Sequence, residues 1–321
     1  MKLTLPKGSL EKNTLALFEA AFYTISGQER TYRPKMSDEE IEVKILRPQE
    51  IPLYVAAGVH DVGITGIDWV TETGADVVKL LDLEYGEVRV TSAIPKGSGY
   101  DSVDGFLGAK WEKGETVRAS TEYLNLTSRY MKSLPSYRSA FGDSDPLLVT
   151  PWWTRGQNRR AAVYLSFGAT EAKPPDDADF ILDVSETGSS LEQNNLKAMD
   201  TVLTSTAHLI ASRAAMKDRW KKEKVYDLVA MLKGVVSARK RVHIYVNVRE
   251  EKLGELLAVL PALKEPTVSA LSKKGWLAVN TVVTKGELHR IVPSIRKIAQ
   301  GLVVHEPRQV LSIDEIRGGE E

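Results

Sequence analysis

No cysteine occurs in this chain, which excludes disulfides, thiolate zinc sites and cysteine nucleophiles together. Charge of one sign is equally lacking in excess. Its 321 residues carry 43 basic and 43 acidic side chains, so a surface built to coat a polyanion is excluded and nucleic acid is not an expected partner. No apolar run approaches the ~18 residues that span a bilayer, so no membrane association is expected. The start Met-Lys-Leu-Thr-Leu-Pro lacks the apolar core of a secretory signal, and a cytoplasmic location is the expectation. Walker, His-Glu-x-x-His and Gly-x-Ser-x-Gly motifs are missing, and the five histidines stand apart at 60, 208, 243, 289 and 305.

What is present is a stretch that reads as a buried strand running into an anion-holding turn. Phe180-Ile181-Leu182-Asp183 ends in a carboxylate, and Ser185-Glu186-Thr187-Gly188-Ser189-Ser190 offers hydroxyls and closely spaced N–H groups ahead of a helix over 191–199. An acid beside a phosphate cup suits a phosphorylated ribose. Taken alone, such a turn is more often an ordinary helix cap with a flexible glycine.

Hydrophobic residues make up 42% of the chain, enough for two or three cored domains. Through the first 200 residues strand-like runs alternate with helical periodicity, the pattern of an α/β fold with largely parallel sheets. Lys2 to Leu5 precedes a break at Pro6-Lys7-Gly8, and Glu42 to Leu46 precedes a turn at Arg47-Pro48-Gln49. Asp61 to Thr65 precedes Gly66-Ile67-Asp68, with Asp68 placed to cap the next helix. Ligands of open α/β sheets gather at such strand ends. Strands at 116–119 and 161–167 and a helix over 122–134 capped by Thr121 build a second lobe. Ten Lys or Arg against three Asp or Glu mark 213–241, a solvated helix face that serves as connector or subunit contact. After it, strands at 242–248, 267–271, 276–283 and 302–304 with helices at 250–260 and 285–299 give a βαββαβ, ferredoxin-like order. The division read from these runs is 1–93 with 200–237, then 94–199, then 238–321.

Several motifs together resemble the ATP phosphoribosyltransferase family in its long form: Pro6-Lys7-Gly8-Ser9-Leu10, Leu46-Arg47-Pro48-Gln49-Glu50-Ile51-Pro52, Asp61-Val62-Gly63-Ile64-Thr65-Gly66-Ile67-Asp68, Arg118-Ala119-Ser120-Thr121-Glu122-Tyr123 and Glu186-Thr187-Gly188-Ser189-Ser190-Leu191. Pro266-Thr267-Val268-Ser269 with Gly275-Trp276-Leu277-Ala278-Val279 resembles that family's regulatory module. The resemblance implies a two-lobed core of the type II periplasmic-binding-protein kind and a ferredoxin-like regulatory domain. It implies displacement of pyrophosphate from phosphoribosyl pyrophosphate by N1 of ATP, with magnesium as cofactor, histidine as feedback inhibitor and assembly from dimers to a hexamer.

By the same resemblance, Glu171 and Asp183 face the ribose, and 185–191 with Asp183 hold phosphoribosyl pyrophosphate. Lys7, Arg47, Asp68 and Tyr123 line the ATP side, and Asn247, Thr267, Ser269 and Leu271 hold histidine. Ser9 stands where an arginine is frequent, Ser189-Ser190 replaces paired threonines, and the spacer Ala172 to Asp177 is altered. The segment 134–157, with Trp152 and Trp153, is longer than in the family. A catalytically silent two-lobed binding or sensor protein of the same fold, and phosphoribosyl transfer to another base, are the competing readings.

Overall fold

The computed structural model describes residues 1–185, 188–261 and 266–311. The chain separates into two compact units, one of residues 2–13 and 43–217, the other of Met1, residues 14–42 and the chain from Asp218 onward.

In chain order the first half holds β1 (Lys2–Pro6), α1 (Glu11–Ala20), a small ribbon of β2 (Ile25–Ser26) and β3 (Lys35–Met36), β4 (Glu42–Leu46), α2 (Ile51–Ala56), β5 (Val62–Gly66), α3 (Ile67–Thr73) and β6 (Val77–Asp82). There follow β7 (Val88–Pro95), α4 (Val103–Glu112), β8 (Val117–Thr121), α5 (Leu124–Ser133), α6 (Pro135–Phe141), β9 (Pro146–Val149), β10 (Thr154–Arg155), β11 (Asn158–Leu165), β12 (Phe180–Ser185), α7 (Ser189–Gln193), β13 (Leu196–Ser205) and β14 (Ala207–Ser212).

The larger unit contains two sheets. One is five-stranded in the order β4-β1-β5-β14-β6, with β1 and β5 parallel and β14 returning antiparallel between β5 and β6. The other is seven-stranded in the order β10-β9-β11-β8-β12-β7-β13, where β9, β11, β8 and β12 run parallel, β7 opposes them, and β13, antiparallel to β7, runs with them again. Strand β5 is buried along its whole length, as a central strand covered on both faces should be. Its Gly63 lets α2 approach closely: a Cβ there would stand 2.6 Å from Ile51 and 3.0 Å from Val55. The second sheet carries the larger core, in which Trp111, Tyr123, Tyr137 and Phe180 are buried.

The chain passes between the sheets twice, from Asp82 to Val88 and at Thr206. The two crossings bond to each other, Leu83 N–H to Ala207 O at 2.9 Å and Ala207 N–H to Tyr85 O at 2.9 Å. The sequence division at 93 and 200 is therefore corrected. β7 and β13 pair over most of their lengths and belong wholly to the seven-stranded sheet. The helix expected over 191–199 is corrected as well: α7 stops at Gln193, Asn195 takes a left-handed turn with φ 56°, and β13 begins at Leu196.

In the second unit, α8 (Arg219–Arg239) precedes β15 (Arg241–Arg249), α9 (Leu253–Val259), β16 (Thr267–Ala270), β17 (Trp276–Thr284), α10 (Lys285–Ile298) and β18 (Gly301–His305). The sheet order β16-β17-β15-β18 with wholly antiparallel pairing is that of a ferredoxin-like βαββαβ module. Val242, Ile244, Val246 and Val248 face the helices, and Thr284 and Glu287 close a capping box at the start of α10. Helix α8 groups with this unit and not with the five-stranded sheet as expected. Its Lys224 pairs with Asp38 and Glu40 at 2.7 and 2.6 Å, and its Gly234 carbonyl accepts Val310 N–H.

Gly63→Ala should lower stability by about 1–3 kcal/mol through overpacking against α2, read as a fall in Tm. Gly97→Ala, where an added Cβ meets nothing within 4 Å, is the control expected to leave Tm nearly unchanged.

Candidate functional site

The parallel strands of the seven-stranded sheet bring their carboxyl ends to one edge, and the chemistry gathers there. Strand β12 delivers Asp183, and the turn after β11 delivers Glu171 in a short 3-10 segment, Thr170–Ala172. These two acids, with Ser185, Gly188, Ser189 and Ser190, line a cavity of about 240 Å³. Ser190 Oγ donates to Glu171, which ties the turn after β12 to the turn after β11. Gly188 has φ 77°, a left-handed conformation that a side chain adopts only under strain. Leu191 is buried against Ala93, Ile181 and Leu196 and forms the floor of the cavity. Glu186 and Thr187 lie outside the described residues.

Asp183 is held by its own strand's end, its Oδ1 accepting Val184 N–H at 2.7 Å. Burial pushes its carboxyl above the ordinary carboxylate range; the Thr170 hydroxyl and Val184 N–H oppose that, and the nearby Glu171 charge adds to it. The sequence reading assigned no role to Glu122. Strands β8 and β12 run in register, Ala119 beside Phe180 and Ser120 beside Ile181, and Thr121 Oγ1 donates to Leu182 O at 2.5 Å. Two steps further along, Glu122 stands beside Asp183. Its carboxyl is raised by burial first and then by Asp183. The strand-end rule that singled out Asp183 would also have found Glu122, had the helix been read to begin at Leu124 instead of at 122. Thr121 does not cap α5 as expected; its side chain accepts Tyr123 N–H at 2.8 Å and bonds β12.

On the five-stranded sheet, Lys7 and Arg47 follow β1 and β4, whose ends are joined by Lys7 N–H to Leu46 O at 2.7 Å. Lys7 Nζ pairs with Glu11 at 3.0 Å, and the exposed Arg47 guanidinium stands 3.8 Å from the Cβ position of Gly8. The structure thus brings these two cations together. Asp68 and Tyr123 are elsewhere, and they are partners of each other. Tyr123 OH donates to Asp68 Oδ2 at 2.6 Å, and Ser205 Oγ donates to Asp68 Oδ1 at 2.5 Å. Asp68 is 3% exposed and Tyr123 1% exposed, with the Tyr123 ring stacked on Trp69 at 4.5 Å. This corrects Asp68 as a helix cap, because its carboxylate turns into the core toward two hydroxyls. Both side chains are buried and bonded to each other. Glu72, one turn further along α3, accepts the N–H groups of Asn125 and Leu126 at 2.8 Å each. Burial raises its carboxyl, against the two N–H bonds and the charge of Arg129.

In the ferredoxin-like module, Ser269, Ala278 and Asn247 stand side by side across β16, β17 and β15, as do Thr267, Asn280 and Tyr245 one pair away. Asn247, Thr267 and Ser269 therefore share the sheet face opposite the helices, and all three are exposed. Leu271 lies just beyond β16, its N–H bonded to Trp276 O at 2.9 Å. The longer segment after α5 forms α6 and a β9–β10 hairpin, where Thr150 bonds Trp153 and the 73% exposed Trp152 meets Phe167 edge-on at 5.9 Å. Among the described residues no group of three or more His, Asp or Glu is placed to hold a metal ion, and no helix is long and apolar enough to cross a membrane.

A family model described as ATP phosphoribosyltransferase matches residues 47–234, and a second, described as HisG, C-terminal domain, matches residues 238–306. The ATP phosphoribosyltransferase of Chlorobium phaeovibrioides is 37% identical over 317 residues, spanning 97% of both chains. That of Thermodesulfovibrio yellowstonii is 35% identical over 317 residues, spanning 97% of this chain and 98% of its own. A solved structure described as ATP phosphoribosyl transferase (HisG:HisZ) complex from Thermotoga maritima shares the fold with a TM-score of 0.56, at 23% identity over 74% of this chain and 98% of that one.

A raised carboxyl pKa means that the folded protein holds the Asp183 proton more tightly than the unfolded chain does. Stability therefore falls as pH climbs from the ordinary carboxylate value to the raised one, and the loss is complete above it. Asp183→Asn removes that cost, so at pH 8 its Tm should exceed that of the parent, and the gap should close as pH falls toward 4. Thermal unfolding across pH checks this, and an Asn variant less stable than the parent at pH 8 would show the carboxylate to be net stabilised.

Proposed function

Because the chain belongs to the ATP phosphoribosyltransferase family, in the long form with a regulatory C-terminal domain, and catalyses the first step of histidine biosynthesis, we propose that the cavity below Glu171 and Asp183 holds the phosphoribosyl half of the reaction. The observation that carries this reading is a hydroxyl-lined, left-handed turn at Gly188 tied to one acid by Ser190 and flanked by another. Backbone N–H and serine hydroxyl groups suit the 5-phosphate, and the two acids suit the ribose.

Adenine N1 carries a lone pair and no proton, so the transfer needs orientation and charge stabilisation more than a general base. As the C1–oxygen bond breaks, its electron pair leaves with pyrophosphate, C1 gains positive character, and the N1–C1 bond forms. Asp183 and Glu171, with Glu122 beside Asp183, place negative charge along that edge. Carboxylate oxygens there are the hard donors that magnesium takes alongside substrate phosphates, and magnesium would neutralise charge on the leaving pyrophosphate. Lys7 and Arg47 suit the triphosphate of ATP, while Asp68 and Tyr123 support that side from within. On the ferredoxin-like module, Asn247, Thr267 and Ser269 form the polar face proposed to take histidine, with Leu271 at its border. Assembly of this chain into dimers and a hexamer, in the cytoplasm, belongs to the same proposal.

The test mixes protein, ATP, phosphoribosyl pyrophosphate and magnesium and follows the near-ultraviolet absorbance of the N1-ribosylated product, with other nucleotides and free bases as competing acceptors. Asp183→Asn should reduce kcat about 10²-fold or more, and Gly188→Ala should raise KM for the activated sugar more than KM for ATP. Asn247→Ala and Ser269→Ala should raise the histidine concentration needed for half inhibition. Full activity in Asp183→Asn would remove that residue from its assigned role.

A further inference from the structure

Helix α3 belongs to the five-stranded sheet, yet most of its polar bonds reach the other sheet or the crossing between them. At its start, Ile67 N–H donates to Thr206 O at 3.1 Å and Asp68 N–H to Ser205 Oγ at 3.1 Å, so the helix is seated on the second crossing itself. Tyr123 OH reaches the same Asp68 from the seven-stranded sheet. One turn later the Glu72 carboxylate accepts Asn125 N–H and Leu126 N–H, first-turn donors of α5 that have no partner within their own helix. Asn125 Nδ2 returns a bond to Glu72 O at 3.0 Å, and Arg129 donates to Thr71 O at 3.0 Å. Trp69 lies between, stacked on Tyr123 and packed against the core of the seven-stranded sheet.

Asp68 is thus at the pivot between the sheets and Glu72 is about 6 Å out along the helix from it. A rotation of about 10° about the crossing would displace Glu72 by about 1 Å, taking its 2.8 Å bonds beyond hydrogen-bond range. A hinge whose arm is fastened in this way cannot swing without breaking two charge-assisted bonds in a buried place.

We propose that Glu72 is a positioning residue for the transfer reaction, a brace between α3 and the start of α5 that fixes the angle of the two sheets and with it the gap between purine N1 and sugar C1. The inference rests on the proposed division of substrates between the sheets, with the cations of Lys7 and Arg47 on one and the acid-flanked cup on the other. Each substrate keeps its own binding groups when the brace is lost, so the loss falls on their alignment. An error of about 1 Å in such alignment costs about 10²-fold in rate.

The experiment is steady-state kinetics of Glu72→Gln in the full chain, with hydrogen exchange at the Asn125 and Leu126 amides. The amide side chain retains one acceptor oxygen and presents N–H groups to a donor. The expected result is a 10- to 100-fold fall in kcat, KM for both substrates within about threefold, and faster exchange at the two amides. An unchanged kcat in a variant whose amides have lost protection overturns the brace, and so does a variant that keeps both. If Glu72→Gln does not accumulate folded, Glu72→Asp keeps the charge but withdraws it by one methylene. The brace requires a smaller fall in kcat there, again with KM preserved, and an unchanged kcat overturns it. Failure of the substrate assignment is separate, since it would appear as an unaltered sugar KM in Gly188→Ala whatever Glu72 does.

Discussion

The carboxylate of Asp68 is the point on which the larger unit turns. It is buried where the chain crosses from one sheet to the other, and its two oxygens are taken by hydroxyls that arrive from β13 and from the residue before α5. A buried charge with both oxygens satisfied is tolerable, whereas one deprived of a partner is expensive, so the three elements are held to a common position. Gly66 shows how close the fit is: a Cβ there would lie 2.0 Å from Asp68 Oδ1. The Gly66-Ile67-Asp68 sequence therefore serves the junction between sheets.

Around that junction the unit concentrates negative charge at some expense in stability. Glu72, Glu122 and Asp183 all have carboxyls raised by burial; Asp183 raises Glu122 further, and Glu171 raises Asp183. Structural needs alone would favour apolar residues at the ends of β8 and β12. On the proposed function, acids in such a place meet the positive character that a ribose carbon gains during transfer. Glu72 differs, because its compensation is already present as two N–H donors, and it belongs to the frame and not to the chemistry.

How much of this was legible in the sequence depended on whether the cause was local. β4 spans Glu42–Leu46 as read, and the ferredoxin-like order was recoverable because each element carries its own periodicity and turn residues. That Asp183 and the serine turn come together was legible because a strand end followed by hydroxyls and glycine is itself a local pattern, whereas Glu171 was placed beside them only by the family resemblance. Asp68 and Thr121 were misread as helix caps for the opposite reason. Each has a partner more than fifty residues away, and the short-range role of cap lost to those bonds. The helix read over 191–199 failed similarly, since Leu196, Lys197 and Ala198 pair with β7, and that pairing outweighs their helical spacing. Glu72 had no sequence signal at all: an acid in the last turn of a short helix is ordinary until another helix is found to begin beside it.

The brace also bears on why this two-sheet architecture can serve transfer as well as capture. A protein that only captures a ligand gains from two lobes that open and close about their crossings, since the closed form is selected by the ligand itself. A transferase with one substrate on each lobe has a different requirement. The distance between its reacting atoms is set by the angle between lobes, and any looseness there is subtracted from the rate. Fastening α3 to α5 beside the crossings restricts that angle. The same two crossings thus support a nearly fixed gap in place of a hinge, at the cost of burying two carboxylates, Asp68 and Glu72, whose bonds are all to the frame.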